Sequence, residues 1–149
     1  MLIVKNYMSS TPIGVYPSTS FRNLAKMFKE NNFDIFPVID EERYLLGIVS
    51  RTDMLHIFLP QYFSLMDDFS YLKDFGALEL DKEAIIMIER IYVADDLMTK
   101  EVITVTEDTS LMKSIALMRK YRVRSLPVIN EENKLMGIIT RTDILKAFL

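Results

Sequence analysis

Residues 127–149 read PVINEENKLMGIITRTDILKAFL, and residues 37–59 read PVIDEERYLLGIVSRTDMLHIFL. The second stretch lies 90 positions before the first, and the match continues backwards without a gap to Met8 and Met98. A similarity of this length at one fixed spacing indicates a tandem duplication, in which neighbouring repeats bury their apolar faces against each other. We therefore interpret the chain as two copies of one structural unit.

The composition is that of a globular chain with enough apolar residues for a sizeable core. It has 149 residues, 50% of them hydrophobic, and a net charge of −3 from 18 basic and 21 acidic residues. Since this balance does not attract nucleic-acid phosphates in general, we expect no nucleic-acid partner. No cysteine is present, which excludes disulfides, thiolate metal sites and thiol catalysis. With no apolar stretch of membrane-spanning length and no signal peptide, we expect a soluble cytoplasmic protein without membrane association.

Each repeat is predicted to run strand, helix, strand, strand, helix, which places the chain in the α/β (α+β) class. In the first repeat the strands are expected at 13–15, 33–39 and 44–50, and the helices at 21–31 and 50–59. In the second repeat the strands are expected at 103–106, 125–129 and 134–140, and the helices at 110–121 and 142–149. Because only a short polar turn separates the last two strands of each repeat, they are predicted to form an antiparallel hairpin.

The duplication divides the chain into a first repeat at residues 1–60, a middle segment at 61–92 and a second repeat at 93–149. The middle segment has no counterpart at the shift of 90, although it is rich in aromatic and aliphatic residues. After the second repeat we expect no catalytic domain. The three parts together are expected to form one compact domain, because the chain is short.

The middle segment is predicted to contain two amphipathic helices. The first covers 63–75 and ends at Gly76, and the second covers 81–91. One side of the second helix is formed by Ala84, Ile85, Ile88 and Ile91. Apolar stripes at helical spacing are usually packing surfaces, so we expect both helices to cover the core or a dimer seam.

A single repeat would leave one sheet face and its helix stripes without a cover. Packing two repeats about a pseudo-two-fold axis buries these surfaces. Such an arrangement also creates two equivalent clefts, each lined by both repeats. This expectation follows from the duplication itself.

A Ser/Thr-x-x-Asp element occurs once in each repeat, as Ser50 to Asp53 and as Thr140 to Asp143. One interpretation is a capping box, in which the hydroxyl and the carboxylate satisfy the first backbone N–H groups of a helix. The other is a ligand site, because a helix start suits phosphate and a carboxylate can accept hydrogen bonds from ribose hydroxyls. The residues themselves leave both interpretations open.

The order of these elements resembles a CBS (cystathionine β-synthase) domain pair, also called a Bateman module. The resemblance rests on Met8-Ser9 and Met98-Thr99, on the Pro-Val-Ile and Gly-Ile strands, and on the Ser/Thr-x-x-Asp elements, and it covers both repeats. It implies two β-α-β-β-α repeats about a pseudo-two-fold axis. It also implies a stand-alone, non-catalytic regulatory module that binds an adenosine-type ligand (AMP, ADP, ATP or S-adenosylmethionine) and signals to a protein partner in trans. No catalytic cofactor is implied.

The resemblance further implies which residues line each cleft, with each site drawing on both repeats. In this family the Asp usually holds the ribose, and the Ser/Thr positions serve ribose or phosphate. Adenine lies between apolar side chains and the backbone of the early strand. Cleft 1 would be formed by Ile48, Ser50, Thr52, Asp53, Thr99, Lys100, Ile103, Arg124 and Ser125. Cleft 2 would be formed by Ser9, Ser10, Ile13, Asp34, Ile35, Ile138, Thr140, Thr142 and Asp143.

The two clefts differ in charge where the repeats depart from symmetry. Arg124 stands where the first repeat has Asp34, and Lys100 stands where it has Ser10. Arginine binds phosphate strongly and directionally, whereas a carboxylate repels it. We therefore expect phosphate-bearing nucleotides in the Asp53 cleft, and an empty or weak site, or S-adenosylmethionine, in the cleft with Asp143. The alternative is that these cations lie on a solvated helix end.

The family resemblance also implies a disc-like homodimer. We expect its interface on the helices that follow the third strands, at Met54, Leu55, Phe58, Ile144, Leu145 and Phe148. His56 is the single histidine and is not expected to be catalytic, and no metal site is expected. The main rival is a purely structural or dimerisation domain without a small-molecule ligand. An enzyme with an unrecognised site is a weaker rival, because no pairing of a nucleophile with a base is apparent.

Overall fold

The computed structural model describes residues 1–10, 14–59 and 82–149. The first repeat contains α1 (Phe21–Glu30), β1 (Ile35–Ile39), β2 (Leu45–Ser50) and α2 (Arg51–His56). Two helices follow, α3 (Lys82–Ile91) and the short α4 (Ala94–Leu97). The second repeat contains α5 (Leu111–Tyr121), β3 (Ser125–Ile129), β4 (Leu135–Thr140) and α6 (Arg141–Lys146). A 3₁₀ turn at Val4–Asn6 precedes them all.

Each repeat is built around an antiparallel hairpin, as the short turns predict. β1 pairs with β2 and β3 pairs with β4 in the same register, so that Val38 faces Gly47 and Val128 faces Gly137. All five residues of β1 are buried, and four of the five in β3 are buried. The hairpins therefore form the centre of their repeats, with helices packed over them.

The first predicted strand of each repeat is shorter than expected. Val15 and Val105 each form an isolated parallel bridge, to Val38 and Val128 respectively. A turn follows each bridge, in which the next backbone N–H, of Tyr16 in the first repeat, donates to the Thr19 hydroxyl (N to Oγ1, 3.0 Å). The corresponding donor of the second repeat does the same. Ile13, which was assigned to the first of these strands, lies outside the described residues.

The longer helix of each repeat buries one face and is capped by serine. Ser20 accepts a hydrogen bond from the Asn23 N–H (3.1 Å), and Ser110 accepts one from the Lys113 N–H (3.0 Å). These caps satisfy backbone donors that would otherwise lack a partner at the helix start. The second helix of each repeat is shorter than predicted, since α2 ends at His56 and α6 at Lys146.

The two repeats meet at their hairpin turns about a pseudo-two-fold axis. The Leu45 N–H donates to the Asn133 carbonyl (3.0 Å), and the Leu135 N–H donates to the Arg43 carbonyl (2.9 Å). Leu45 and Leu135 are buried together with Ile39 in a small central cluster. This contact joins the two halves without merging their hairpins into one sheet.

Each repeat is completed by the segment that precedes the other repeat in the chain. Val4 is fully buried in the core of the second repeat. Ala94 and Leu97 are buried in the core of the first. The lead-in segments are therefore exchanged between the halves.

The middle segment is described only in part. The helix predicted over 63–75, with its end at Gly76, lies outside the described residues. The predicted helix over 81–91 is present as α3, which packs on α1. Ile88 packs against the first core, whereas Ile85 and Ile91 are exposed. Only part of the predicted stripe on this helix therefore covers the core.

The residues expected at a dimer interface divide into two groups. Met54 and Ile144 are buried within their own repeats and face the cores instead, and Phe58 is half-buried against the core of the first repeat. Leu55 and Leu145 are each 65% exposed and Phe148 is 70% exposed. Every third or fourth residue of a helix faces the same side, so one helix supplies both groups.

In the part of the chain that the structure describes, no helix is long and apolar enough to cross a membrane.

The hairpin turns allow a first prediction about stability. Arg43 and Asn133 occupy equivalent positions with left-handed backbone, at φ 72° and 65°. Asparagine adopts this conformation more readily than arginine, and the Asn133 amide donates to the Leu45 carbonyl (3.2 Å) as the Arg43 guanidinium does to the Leu135 carbonyl (3.2 Å). Arg43→Asn is therefore expected to raise the free energy of unfolding by about 0.5–1 kcal/mol.

Denaturant unfolding measures this change. The reciprocal variant Asn133→Arg is the matched control, and it is expected to lower the free energy of unfolding by a similar amount. If both variants unfold like the parent chain, backbone strain at the turn does not contribute to stability.

Candidate functional site

Two clefts arise where each hairpin pairs with the lead-in segment of the other repeat. Ile48 of β2 forms an antiparallel bridge with Thr99, and Ile138 of β4 forms one with Ser9. Both backbone hydrogen bonds of each bridge are present, at 2.8–3.0 Å. Each cleft is consequently lined by both repeats, as the duplication predicts.

Cleft 1 lies between the start of α2 and the second repeat and has a volume of about 810 Å³. Eight of the nine residues expected in it line it, and Lys100 does not. Its lining consists of Asp34, Ile35, Ile48, Ser50, Arg51, Thr52, Asp53, Thr99, Glu101, Ile103, Tyr121, Arg122, Val123, Arg124 and Ser125. Its volume is in the range of small-molecule sites in proteins.

Cleft 2 lies at the start of α6 and has a volume of about 320 Å³. Its lining consists of Ser9, Asn32, Phe33, Asp34, Arg124, Ser125, Ile138, Thr140, Arg141, Thr142 and Asp143. Of the residues expected here, Ser10 does not line the cleft and Ile35 lines cleft 1 instead. Ile13 lies outside the described residues.

The Ser/Thr-x-x-Asp elements form capping boxes at both helix starts. The Asp53 N–H donates to Ser50 Oγ (3.0 Å), and the Ser50 N–H donates to Asp53 Oδ2 (2.9 Å). Thr140 and Asp143 repeat the arrangement at 3.1 and 2.9 Å. Among the described residues, the Oδ1 atoms of the two aspartates have no hydrogen-bond donor. One carboxylate oxygen therefore serves the cap while the other can still accept a hydrogen bond.

The acidic and basic residues that were expected in separate clefts, Asp34 and Arg124, lie together. Asp34 and Arg124 form an ion pair (Oδ1 to Nη1, 3.9 Å), and each residue lines both clefts. Their main chains explain this, because the Asp34 carbonyl accepts from the Arg51 N–H (3.4 Å) and the Arg124 carbonyl accepts from the Arg141 N–H (3.2 Å). Both residues thus lie beside the pseudo-two-fold axis, where each of them borders both clefts.

The two equivalent arginines at the first positions of α2 and α6 differ in the hydrogen bonds that their side chains form. The Arg51 guanidinium donates to the carbonyls of Phe28 (2.8 Å), Asn31 (3.0 Å) and Phe33 (3.2 Å). These bonds satisfy carbonyls at and beyond the end of α1 and hold the side chain in place. The side chain of Arg141 has no such partner among the described residues. Arg141 lines both cleft 2 and the apolar groove that contains Ile144 and Leu145.

Ser125 is the most buried polar side chain of the two linings. It is 7% exposed and lines both clefts. Its hydroxyl has no hydrogen-bond partner within residues 1–10, 14–59 and 82–149. No buried side-chain oxygen or nitrogen of the described residues lacks a hydrogen-bond partner, so this hydroxyl is accessible and can donate to or accept from a small molecule in a cleft.

Several lining residues were not selected from the sequence. They are Arg51, Glu101, Tyr121, Arg122 and Val123 in cleft 1, and Asn32, Phe33 and Arg141 in cleft 2. Arg51 and Arg141 lie within the Ser/Thr-x-x-Asp elements, so their position was a usable signal. Arg122 has a left-handed backbone (φ 54°) at the end of α5, which turns the following residues towards the cleft.

Neither lining contains the side chains of a metal centre or His56. Within the described residues, no group of three or more His, Cys, Asp or Glu side chains could hold a metal ion. What the clefts offer is hydroxyls, carboxylate oxygens, guanidinium groups and apolar walls. This combination suits the binding of a small polar ligand with an apolar part.

Among solved structures, CBSX2 in complex with AMP has a TM-score of 0.74 and 28% identity, and the match covers 99% of this chain and 96% of that one. The CBS domain pair of MJ0100, in complex with 5-methylthioadenosine and S-adenosyl-L-methionine, has a TM-score of 0.70 and 24% identity, with 99% of each chain covered. At this identity the second match supports the fold alone.

Curated relatives extend these similarities to whole sequences. Protein MJ1426 of Methanocaldococcus jannaschii is 26% identical over 100% of this chain and 92% of its own length. CBSX1 of Arabidopsis thaliana is 31% identical over 91% of this chain, and the match covers 58% of that protein. The other relatives compared include two inosine-5'-monophosphate dehydrogenases, of which the chain spans 22–23%.

A model of the CBS domain matches the chain twice, at residues 4–60 and at 93–149. These matches cover both repeats and therefore most of the sequence. The exchanged lead-in segments, the two hairpins and the paired clefts lie within them. The chain belongs to the CBS domain family and folds as a CBS domain pair.

Proposed function

We propose that this chain is a non-catalytic regulatory module that binds an adenine nucleotide in the clefts between its two repeats. The observation that carries the proposal is the pair of capping aspartates, Asp53 and Asp143, each of which keeps one carboxylate oxygen available in a cleft lined by both repeats. Vicinal ribose hydroxyls are suitable donors to such an oxygen. The relative CBSX2, which has the same fold, binds AMP.

Cleft 1 is the stronger candidate of the two. It is the larger, and Arg122 and Arg124 line it beside the hydroxyls of Ser50 and Thr52. Arginine forms short, directional hydrogen bonds with phosphate oxygens. Ile48 and Ile103 provide an apolar wall for a purine ring. We propose that AMP, ADP or ATP binds here, with Asp53 on the ribose and the arginines on the phosphate.

A ligand held by both repeats provides a means of regulation. Because such a ligand favours one relative angle of the repeats over others, its binding shifts the population of shapes. A protein partner that distinguishes these shapes would respond in trans. Nucleotide binding and partner binding would then be coupled, with each changing the affinity of the other by the same factor.

Thermal unfolding with a ligand panel tests the proposal. AMP, ADP, ATP, NAD and S-adenosylmethionine are compared with GTP as the control nucleotide. A ligand at about 100 times its dissociation constant adds about 2.7 kcal/mol to the free energy of unfolding. For a domain of this size the midpoint is then expected to rise by about 5–10 °C. If none of the adenosyl compounds raises it, the rival interpretation, a structural domain without a ligand, takes the place of this one.

A nucleotide-hydrolysis assay addresses the enzymatic alternative. The linings offer no metal cluster and no histidine among the described residues. The nucleotide is therefore expected to remain intact during prolonged incubation. Release of phosphate at a rate that scales with protein concentration and is lost in Asp53→Ala would contradict the non-catalytic proposal.

We also propose that the chain forms a homodimer through the exposed apolar residues of α2 and α6. Leu55 and Leu145 each place a 65% exposed side chain on this surface. Burying a leucine side chain is worth about 1.5–3 kcal/mol, so Leu55→Asp with Leu145→Asp is expected to weaken the dimer by at least about 10-fold. Sedimentation velocity at micromolar concentration measures the change.

Met112→Asp is the matched control for the interface variant. Met112 is 74% exposed on α5. It lines neither the apolar groove beside α2, which includes Leu55 and Phe58, nor the one beside α6, which includes Leu145 and Phe148. It is expected to keep the mass of the parent chain. A parent chain that sediments as a monomer contradicts the dimer proposal.

A further inference from the structure

We propose that Arg124 is a phosphate-binding residue shared by both clefts, so that an anionic nucleotide in one cleft weakens the binding of a second anionic nucleotide in the other. The inference rests on the proposed function, since it concerns nucleotides bound in these clefts. Asp34 is the second residue on which this coupling between the clefts depends. It holds Arg124 in the absence of ligand and becomes an unpaired carboxylate when a phosphate takes the arginine.

The geometry places this pair between the sites. Arg124 and Asp34 each line both cleft 1 and cleft 2, and the carboxylate oxygen lies 3.9 Å from the guanidinium nitrogen. At the shift of 90 these are equivalent positions of the two repeats. The pseudo-two-fold axis therefore brings an acid and a base together where two identical residues would otherwise face each other.

The ion pair is weak enough to be exchanged for a ligand. The side chain of Arg124 is 64% exposed and that of Asp34 is 43% exposed. Exposed ion pairs contribute little to stability, whereas a guanidinium can form two parallel hydrogen bonds with a phosphate. A nucleotide phosphate in either cleft can therefore displace Asp34 from Arg124.

The other arginines of the clefts do not remove the competition. Arg122 lines cleft 1 and Arg141 lines cleft 2, so each serves one of the two clefts. Arg51 is already bonded to carbonyls at the end of α1. Once the first phosphate has taken Arg124, the second cleft keeps only its own arginine and now faces the unpaired charge of Asp34.

Thermodynamic linkage fixes how the effect is measured. The factor by which a ligand in cleft 1 weakens cleft 2 equals the factor by which a ligand in cleft 2 weakens cleft 1. Isothermal titration with AMP gives the two stepwise dissociation constants of the parent chain. Asp53→Ala and Asp143→Ala each leave one cleft, and either of them supplies the affinity of that cleft on its own. The coupling is therefore still measurable if one variant fails to fold.

For the parent chain, the second AMP is expected to bind about fivefold or more weakly than it binds the same cleft in the single-cleft variant. In Arg124→Ala this factor is expected to fall towards one, because no arginine is shared and Asp34 is unpaired whether or not a ligand is bound. In Asp34→Asn it is expected to fall only in part, because the unpaired carboxylate is gone but Arg124 is still shared. Adenosine, which has no phosphate, is expected to show a factor near one in every variant. These comparisons separate the effect of charge from that of ring and ribose binding.

Glu107→Gln is the matched control for charge. It changes the net charge by the same amount, and Glu107 also belongs to an ion pair, with Lys5 (4.0 Å), but it lines neither cleft. Its AMP coupling is expected to equal that of the parent chain.

The outcomes distinguish the two proposals. If the parent chain binds neither AMP nor adenosine, the proposed function fails and this inference fails with it. If AMP binds both clefts and its coupling factor is near one, or is the same in Arg124→Ala as in the parent chain, the shared-arginine inference is overturned while the proposed function stands.

Discussion

Asp53→Ala is expected to weaken the binding of AMP in cleft 1 by about 10- to 150-fold. The estimate follows from the loss of hydrogen bonds between a charged carboxylate and ribose, which are worth about 1.5–3 kcal/mol. Since Oδ2 of Asp53 already accepts from the Ser50 N–H, the atom lost to the ligand is Oδ1. Isothermal titration calorimetry with the parent chain and the variant measures the change.

The variant also removes half of a capping box, so stability must be measured separately. Asp53→Ala is expected to lower the free energy of unfolding by about 1 kcal/mol whether or not the residue binds ligand. Asp53→Asn keeps an oxygen for the cap and removes the charge, so its stability should change less. Asp143→Ala is the symmetric control, expected to spare cleft 1. Equal affinity of cleft 1 for AMP in Asp53→Ala and in the parent chain would reduce Asp53 to a structural cap.

Gly137→Ala is expected to lower the free energy of unfolding by about 1–3 kcal/mol, which corresponds to about 2–12 °C in the midpoint of thermal unfolding. A Cβ atom at this position would overlap the carbonyl oxygen of Ser9, and it would lie 3.1 Å from the Met8 sulfur. Ser9 is also bonded to Ile138 through both backbone hydrogen bonds of their bridge, so its carbonyl cannot withdraw without breaking this contact between repeats.

Gly14→Ala is the matched control for this variant. There the new Cβ would meet Cδ1 of Ile39 at 2.8 Å, which is the end of a flexible side chain and not backbone. We therefore expect a smaller loss of stability for Gly14→Ala than for Gly137→Ala. Because cleft 2 borders the same contact, Gly137→Ala is also expected to impair AMP binding there more than in cleft 1. Equal stability of the two variants would contradict the requirement for glycine at the crossing.

The duplication made most of the fold predictable from the sequence. Hairpins, helices and the pairing of each cleft with both repeats follow from a pattern that occurs twice, so each copy supports the interpretation of the other. The first strands were overestimated because an apolar pattern does not show how many residues pair with the neighbouring strand. Val15 and Val105 each form a single bridge, and a turn follows in which the Tyr16 N–H donates to the Thr19 hydroxyl.

The charges of the clefts were harder to predict than their outlines. Arg124 and Asp34 were assigned to different clefts because each cleft was expected to take its residues before the proline from a different repeat, but the distance between two repeats cannot be read from their alignment. The structure places the two side chains together at 3.9 Å. Conversely, Arg51 and Arg141 occupy equivalent positions in the sequence. Arg51 nevertheless donates to three carbonyls at and beyond the end of α1, whereas Arg141 has no such partner among the described residues.

The exchanged lead-in segments bear on how the chain is made at the ribosome. The core of the first repeat contains Ala94 and Leu97, which are synthesised after that repeat, and the core of the second contains Val4, which is synthesised long before it. A nascent chain that has not yet extended past Leu97 therefore lacks part of the first core. Until then, apolar residues of the hairpin formed by β1 and β2 have no cover from Ala94 and Leu97. The first repeat can therefore complete its core only after the start of the second repeat has been synthesised, whereas Val4 is present before the rest of the second core.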